Sequence, residues 1–171
     1  MREENVGYRV DEDCIVHYFV DEDFERRRVA TVSVLSHPAL ASAKQAFDEA
    51  FRNLDGVPRD TKAAIFYIFE AVEVLARQID AKASRLTKNL AKDSLPKLCL
   101  ANFAGHVTEK KVLEEMLEAL GYWADALHGY RHGQAEELPG KPSEELAVYA
   151  ISTGSAHIRW LAPHAIAAKS T

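Results

Sequence analysis

The 171-residue chain has two cysteines, Cys14 and Cys99, far apart and in no metal-type spacing. That leaves no disulfide framework and no thiolate metal site, and both read as free thiols of a reducing cytoplasm. There is no run of about 18 apolar residues, so no membrane span is expected. The first residues, Met1-Arg2-Glu3-Glu4, are charged and carry no apolar segment, so no signal peptide is expected. The chain has no Gly-rich phosphate loop, no nucleophile elbow around a Ser, Thr or Cys, and no Glu-x-x-His pair of the kind that builds a di-metal carboxylate bundle. It has no excess of positive charge either: the net charge of −5 argues against a polyanion binder over its whole surface.

What remains is a chain of one-domain size with an ordinary apolar content, long enough for its own core. Its charge is unevenly placed. Residues 1–25 carry nine acidic and two basic side chains, whereas residues 77–111 carry eight basic and three acidic ones. The basic set is Arg77, Lys82, Arg85, Lys88, Lys92, Lys97, Lys110 and Lys111. Such a strip is either an ordinary solvated helix face or a phosphate-facing surface, with Arg85, Lys88 and Lys92 as its central cations.

The apolar pattern predicts an all-α antiparallel bundle of five or six helices, with a short N-terminal β-hairpin. Tyr8-Arg9-Val10 and Cys14 to Val20 read as two extended runs across an acidic turn. Residues 1–20 are therefore expected to be extended, 21–162 to form the bundle, and 163–171 a frayed tail. Asp21 is placed to cap a first helix, Ser36 a second with Pro38 in its first turn, and Asp60 or Thr61 a third. In the third helix Ile65, Ile68/Phe69, Val72, Leu75/Ala76 and Ile79 recur at helical spacing. Their stripe runs on through Ala83, Leu86 and Leu90, as one long helix or two with a break near 80–84. Residues 94–106 are weakly helical, Pro96 being tolerated only near a helix start. Thr108 is expected to cap the next helix, with Leu113, Met116/Leu117, Leu120, Ala124 and Leu127 on its apolar face and Gly129 and Gly133 at its end. Ser143-Glu144-Glu145 starts the last helix, whose buried stripe is Leu146, Tyr149/Ala150, Thr153/Gly154, His157/Ile158 and Leu161. Gly154 is read as a point of close helix approach, and Trp123 and Trp160 as core or interface residues.

The one dense cluster of chemical groups lies where the penultimate helix stops. It comprises His128-Gly129 followed by Tyr130-Arg131-His132-Gly133-Gln134. An imidazole exchanges protons near neutral pH and a guanidinium holds phosphate, so these residues suit RNA chemistry. A more ordinary role is also open to them, because cations at a helix C-terminus gain about 0.3–1 kcal/mol from the macrodipole. His128 and His132, four apart, could share a metal if Glu70, Glu73 or His157 arrived through folding; neither metal nor cofactor is expected. Glu70 and Glu73 either face a cation such as Arg131, or Glu73 pairs with Arg77 for about 0.2–0.5 kcal/mol.

Three segments resemble the HEPN superfamily (higher eukaryotes and prokaryotes nucleotide-binding), closest to its abortive-infection-type members. They are Tyr130-Arg131-His132-Gly133-Gln134, then Lys141-Pro142-Ser143-Glu144-Glu145-Leu146-Ala147, and then Ile158-Arg159-Trp160-Leu161. The helix Ala64–Glu73 is similar to the one preceding the family's motif, so the resemblance spans residues 60–162. For active members it implies a homodimeric, metal-independent ribonuclease in which an Arg, an adjacent polar residue and a His four to six residues later meet across the dimer. Here, with four to six residues intervening after Arg131, the place of that His is taken by Glu136, Glu137 or Leu138, so the motif is degenerate. The expectation is a module binding RNA, nucleotide or a protein partner without cutting. Its binding residues would be Glu70, Glu73, Tyr130, Gln134, Arg85, Lys88 and Lys92. The alternatives are a defence- or toxin-type ribonuclease using His128, Arg131 and His132, and a purely structural dimer.

Overall fold

The computed structural model describes residues 7–10, 14, 16–131 and 140–169. It is an all-α bundle with a small hairpin at one end. Strands β1 (Tyr8–Val10) and β2 (Val16–Tyr18) pair antiparallel, Arg9 opposite His17. The helices are α1 (Glu22–Leu35), α2 (Ala41–Asp55), α3 (Thr61–Ile79), α4 (Leu95–Cys99), α5 (Val107–Arg131) and α6 (Glu144–Lys169). A 3₁₀ turn (Pro38–Leu40) precedes α2, and a π-helical turn (Leu90–Ser94) leads into α4.

The core is the seam of α2, α3 and α6. Phe47, Leu54, Ile65, Ile68, Leu75, Ile151, Ile158 and Leu161 are all buried there. Caps follow from local chemistry. The Asp21 carboxylate accepts the Phe24 N–H at 2.7 Å, and Asp60 accepts that of Ala63 at 2.9 Å. Thr61, freed from capping, donates its hydroxyl to the Pro142 carbonyl at 2.7 Å and ties the start of α3 to the start of α6. At Gly154 a β-carbon would lie 2.5 Å from Ile68, so α6 approaches α3 as closely there as the sequence implied.

Of the two readings of the stripe beyond Ile79, the break near 80–84 is the one found: α3 stops at Ile79, and Asp80 accepts the Lys82 N–H in a turn. Several other expectations are corrected. Ser36 closes α1, its hydroxyl donating to the Val32 carbonyl, while the His37 ring accepts the Ala39 N–H ahead of Pro38. Helix α5 starts one residue before Thr108, whose N–H is accepted by the ring of His106. Gly129 does not end α5, which runs on to Arg131; Gly133 lies outside the described residues. Met116 and Tyr149 are 62% and 64% exposed, because Leu117 and Ala150 take the inward positions. The tail is helical to Lys169, Pro163 included, because Ala162 and Ala165 are buried and Lys169 donates to the Ala39 carbonyl at 2.7 Å.

Candidate functional site

The site forms where the broken stripe places residues 80–92 against α5. Glu73, inside α3 and buried, accepts the Leu86 N–H on Oε2 at 2.6 Å. This carboxylate anchors the chain after the turn. Thr87 then caps the following helical turn, its Oγ1 accepting the Leu90 N–H at 3.1 Å. Buried Leu86 thus holds Arg85 and Thr87 in place on either side of it.

Helix α5 comes close because residue 121 is glycine: a β-carbon there would lie 3.0 Å from the Lys88 Cα. The two elements are joined along their length. Lys88 sits over the Tyr122 ring at 3.8 Å, and Lys92 Nζ meets Glu118 at 2.8 Å, which raises the Lys92 pKa. These two cations of the basic strip therefore already have partners on α5.

Beyond them the surfaces part into a recess of about 310 Å³ lined by Arg85, Leu86, Thr87, Ala124, Asp125 and His128. The structure thus brings Arg85 from the basic strip beside His128 from the end-of-helix cluster. Asp125 and His128 are three apart on one side of α5 and are exposed. The recess presents a permanent cation, a hydroxyl, a carboxylate and an imidazole around an apolar floor of Leu86 and Ala124. Such a set can hold an anionic group at one edge and a hydrogen-bond donor at the other.

The rest of the strip borders two further recesses. A groove of about 500 Å³ between residues 92–101 and the first half of α5 is lined by Lys92, Lys97, Lys110 and Lys111, facing Glu114, Glu115 and Glu118. A second, of about 410 Å³, takes in Lys82 and Lys97. Lys97 lines both, so they adjoin.

The other anticipated residues fall elsewhere. Glu70 is half-buried on α3 and outside the recess, and Tyr130 is half-buried against the core. Arg131 ends α5, one helical turn past His128, its side chain outside the description; His132 and Gln134 lie outside the described residues. His157 stacks edge-on against Trp123, whose indole N–H donates to Thr153 at 2.9 Å. Burial pushes the His157 pKa down to about 4. Burial also lifts the Cys99 thiol to about 12, so it is an inert packing residue. Among the described residues no three His, Cys, Asp or Glu side chains converge as metal ligands.

Sequence reasoning missed Asp125 and Thr87. Asp125 carried a readable signal, its i,i+3 spacing to His128; Thr87 carried none. It also missed a polar cluster at the hairpin end. There Asp55 accepts from His17 Nδ1 at 2.9 Å, the Tyr18 N–H at 3.0 Å and Arg28 at 3.1 Å. Beside it Arg59 lies 3.7 Å over the Tyr18 ring and pairs with Glu144 at 3.0 Å. These contacts join β2, α1, α2, the segment ahead of α3 and the start of α6 to one another.

No helix among the described residues is long and apolar enough to cross a membrane. No protein-family model, no curated protein and no solved structure matches the chain.

Proposed function

We propose that the chain is a HEPN-like helical module that binds single-stranded RNA or its nucleotides along the face formed by residues 80–111 and α5. One observation carries the reading: Arg85 and His128, singled out for separate reasons, line one recess, and other cations of the strip border two grooves farther along residues 79–118. Cations that track phosphates around a pocket able to seat one nucleotide fit a single-stranded ligand. Electrostatic binding of this kind releases counterions, so affinity falls linearly with salt on logarithmic axes. Titrating the full chain with single-stranded RNA at rising salt tests it, and a flat response or no binding rejects it. A protein partner would show the reverse: association insensitive to RNA competition.

The recess also supports a catalytic reading. His128 stands where a general acid or base could act on a phosphate held by Arg85, with the 2′-hydroxyl as internal nucleophile. Incubation with RNA in EDTA decides it: cutting that disappears in His128→Ala marks a metal-independent ribonuclease, and intact RNA marks a binding module.

Homodimerisation rests on the family resemblance alone. Of the small residues Ala147, Ala150, Gly154 and Ala156, the first three are buried within the protomer and only Ala156 is exposed. Sedimentation at micromolar concentration decides it.

A further inference from the structure

Arg85 and Asp125 carry opposite charges and line the same recess, yet among the described residues their side chains form no ion pair and no hydrogen bond. Farther along the same two elements, opposite charges do meet, as Lys92 and Glu118 show. The recess keeps its cation and its carboxylate apart, across a space of about 310 Å³. That volume is at the lower end of the roughly 300–1,000 Å³ of small-molecule sites and suits one nucleotide unit.

An ionised carboxylate only accepts hydrogen bonds, and it repels phosphate. A surface built to hold nothing but a phosphate backbone would be weakened by one at this place. Asp125 is well suited, in contrast, to a neutral donor a short distance from a phosphate. In RNA the ribose 2′-hydroxyl is such a donor, and DNA lacks it. Arg85 is the complementary group, a planar fork for phosphate oxygens. Thr87, whose oxygen is taken by the Leu90 N–H, still has its own proton to donate.

We propose that Asp125 is the residue by which this face distinguishes RNA from DNA, its carboxylate accepting the 2′-hydroxyl of a ribonucleotide whose phosphate Arg85 holds. The inference rests on the RNA-binding reading above and goes beyond it by assigning sugar selectivity to one side chain. His128, one turn from Asp125 on the same side of α5, lines the same recess.

The test uses the full chain with oligoadenylate and oligodeoxyadenylate of equal length, at one low salt concentration. A hydrogen bond to a charged acceptor corresponds to about a tenfold preference for the ribo-oligomer in the wild type. Asp125→Ala collapses that preference, while binding of the deoxy-oligomer stays or tightens as a negative charge is lost. Asp125→Asn, which keeps an acceptor oxygen, retains part of it. Arg85→Ala weakens both oligomers alike and keeps their ratio. The proposal is overturned if the wild type binds both equally, or if Asp125→Ala leaves the ratio unchanged. Either result leaves RNA binding itself standing, whereas failure of both oligomers to bind the wild type removes the RNA reading as well.

Discussion

Two polar clusters in this molecule look alike on paper and differ in what surrounds them. At the hairpin end, Asp55 gathers a ring nitrogen, a backbone N–H and a guanidinium from β2 and α1, so its capacity is spent inside the fold. At the α5 recess, Arg85 and Asp125 face each other without joining. Side-chain density alone would select the first as the functional centre. Counting where the hydrogen bonds go selects the second, because only groups with unspent capacity can bind a ligand. The hairpin cluster is a clamp: two strands of three residues each are marginal alone and need anchoring to the bundle.

The sharpest way to break the contrast is to delete the centre of the clamp. Asp55→Ala removes the carboxylate shared by the half-buried Arg28 guanidinium and the His17 ring, and we expect a loss of about 3 kcal/mol, the low end for a broken buried pair, in denaturant unfolding. A loss below about 1 kcal/mol would mean that the cluster is not structural.

His157 belongs to neither region and packs from α6 against Trp123. Its folded pKa, about 4, is below the 6.5 of the unfolded chain. Above pH 6.5 both states are neutral there, and stability does not depend on this group. As pH falls from 6.5 towards 4 the unfolded state takes up the proton and the folded state does not, so stability declines by roughly 3 kcal/mol across that window. His157→Phe keeps a ring against Trp123 and removes this part of the acid sensitivity. Unfolding midpoints at pH 7 and pH 4.5 for both proteins check it.

Gly154→Ala drives a β-carbon into Ile68 and towards Trp123, for a cost of about 1–3 kcal/mol. Because Trp123 belongs to α5, this substitution also displaces the recess, and RNA affinity should fall with stability. The smallest stability effect belongs to Arg85→Ala, within about 0.5 kcal/mol as for an exposed side chain with no internal partner. Its effect on RNA binding should be the larger one, the inverse of Asp55→Ala, which unfolds first and binds normally while folded.

Much of the fold was legible from the sequence, since α2, α3 and α6 carry their apolar residues at helical spacing and the acidic caps Asp21 and Asp60 stand at the starts of α1 and α3. What stayed out of reach depends on contacts between elements. The register kept by Ala83, Leu86 and Leu90 left one long helix and two broken ones both open; the buried Glu73 carboxylate captures the Leu86 N–H, and the chain turns there. No local pattern shows that a glutamate will accept a backbone donor thirteen residues on. The recess depends on that turn, so Arg85 and His128 could each be noticed but not paired. The Asp55 clamp was invisible for the same reason: His17, Arg28 and Asp55 belong to three different elements.

The central claim is that Arg85 and His128 form one RNA-facing surface. Its most direct test is the salt dependence of single-stranded RNA affinity for the wild type and for the Arg85→Ala/His128→Ala double variant. The account predicts tight binding at low salt for the wild type, a clear loss for the variant, and a logarithmic salt slope shallower by about 0.7 for the lost arginine contact. Equal affinities and equal slopes in the two proteins would contradict it.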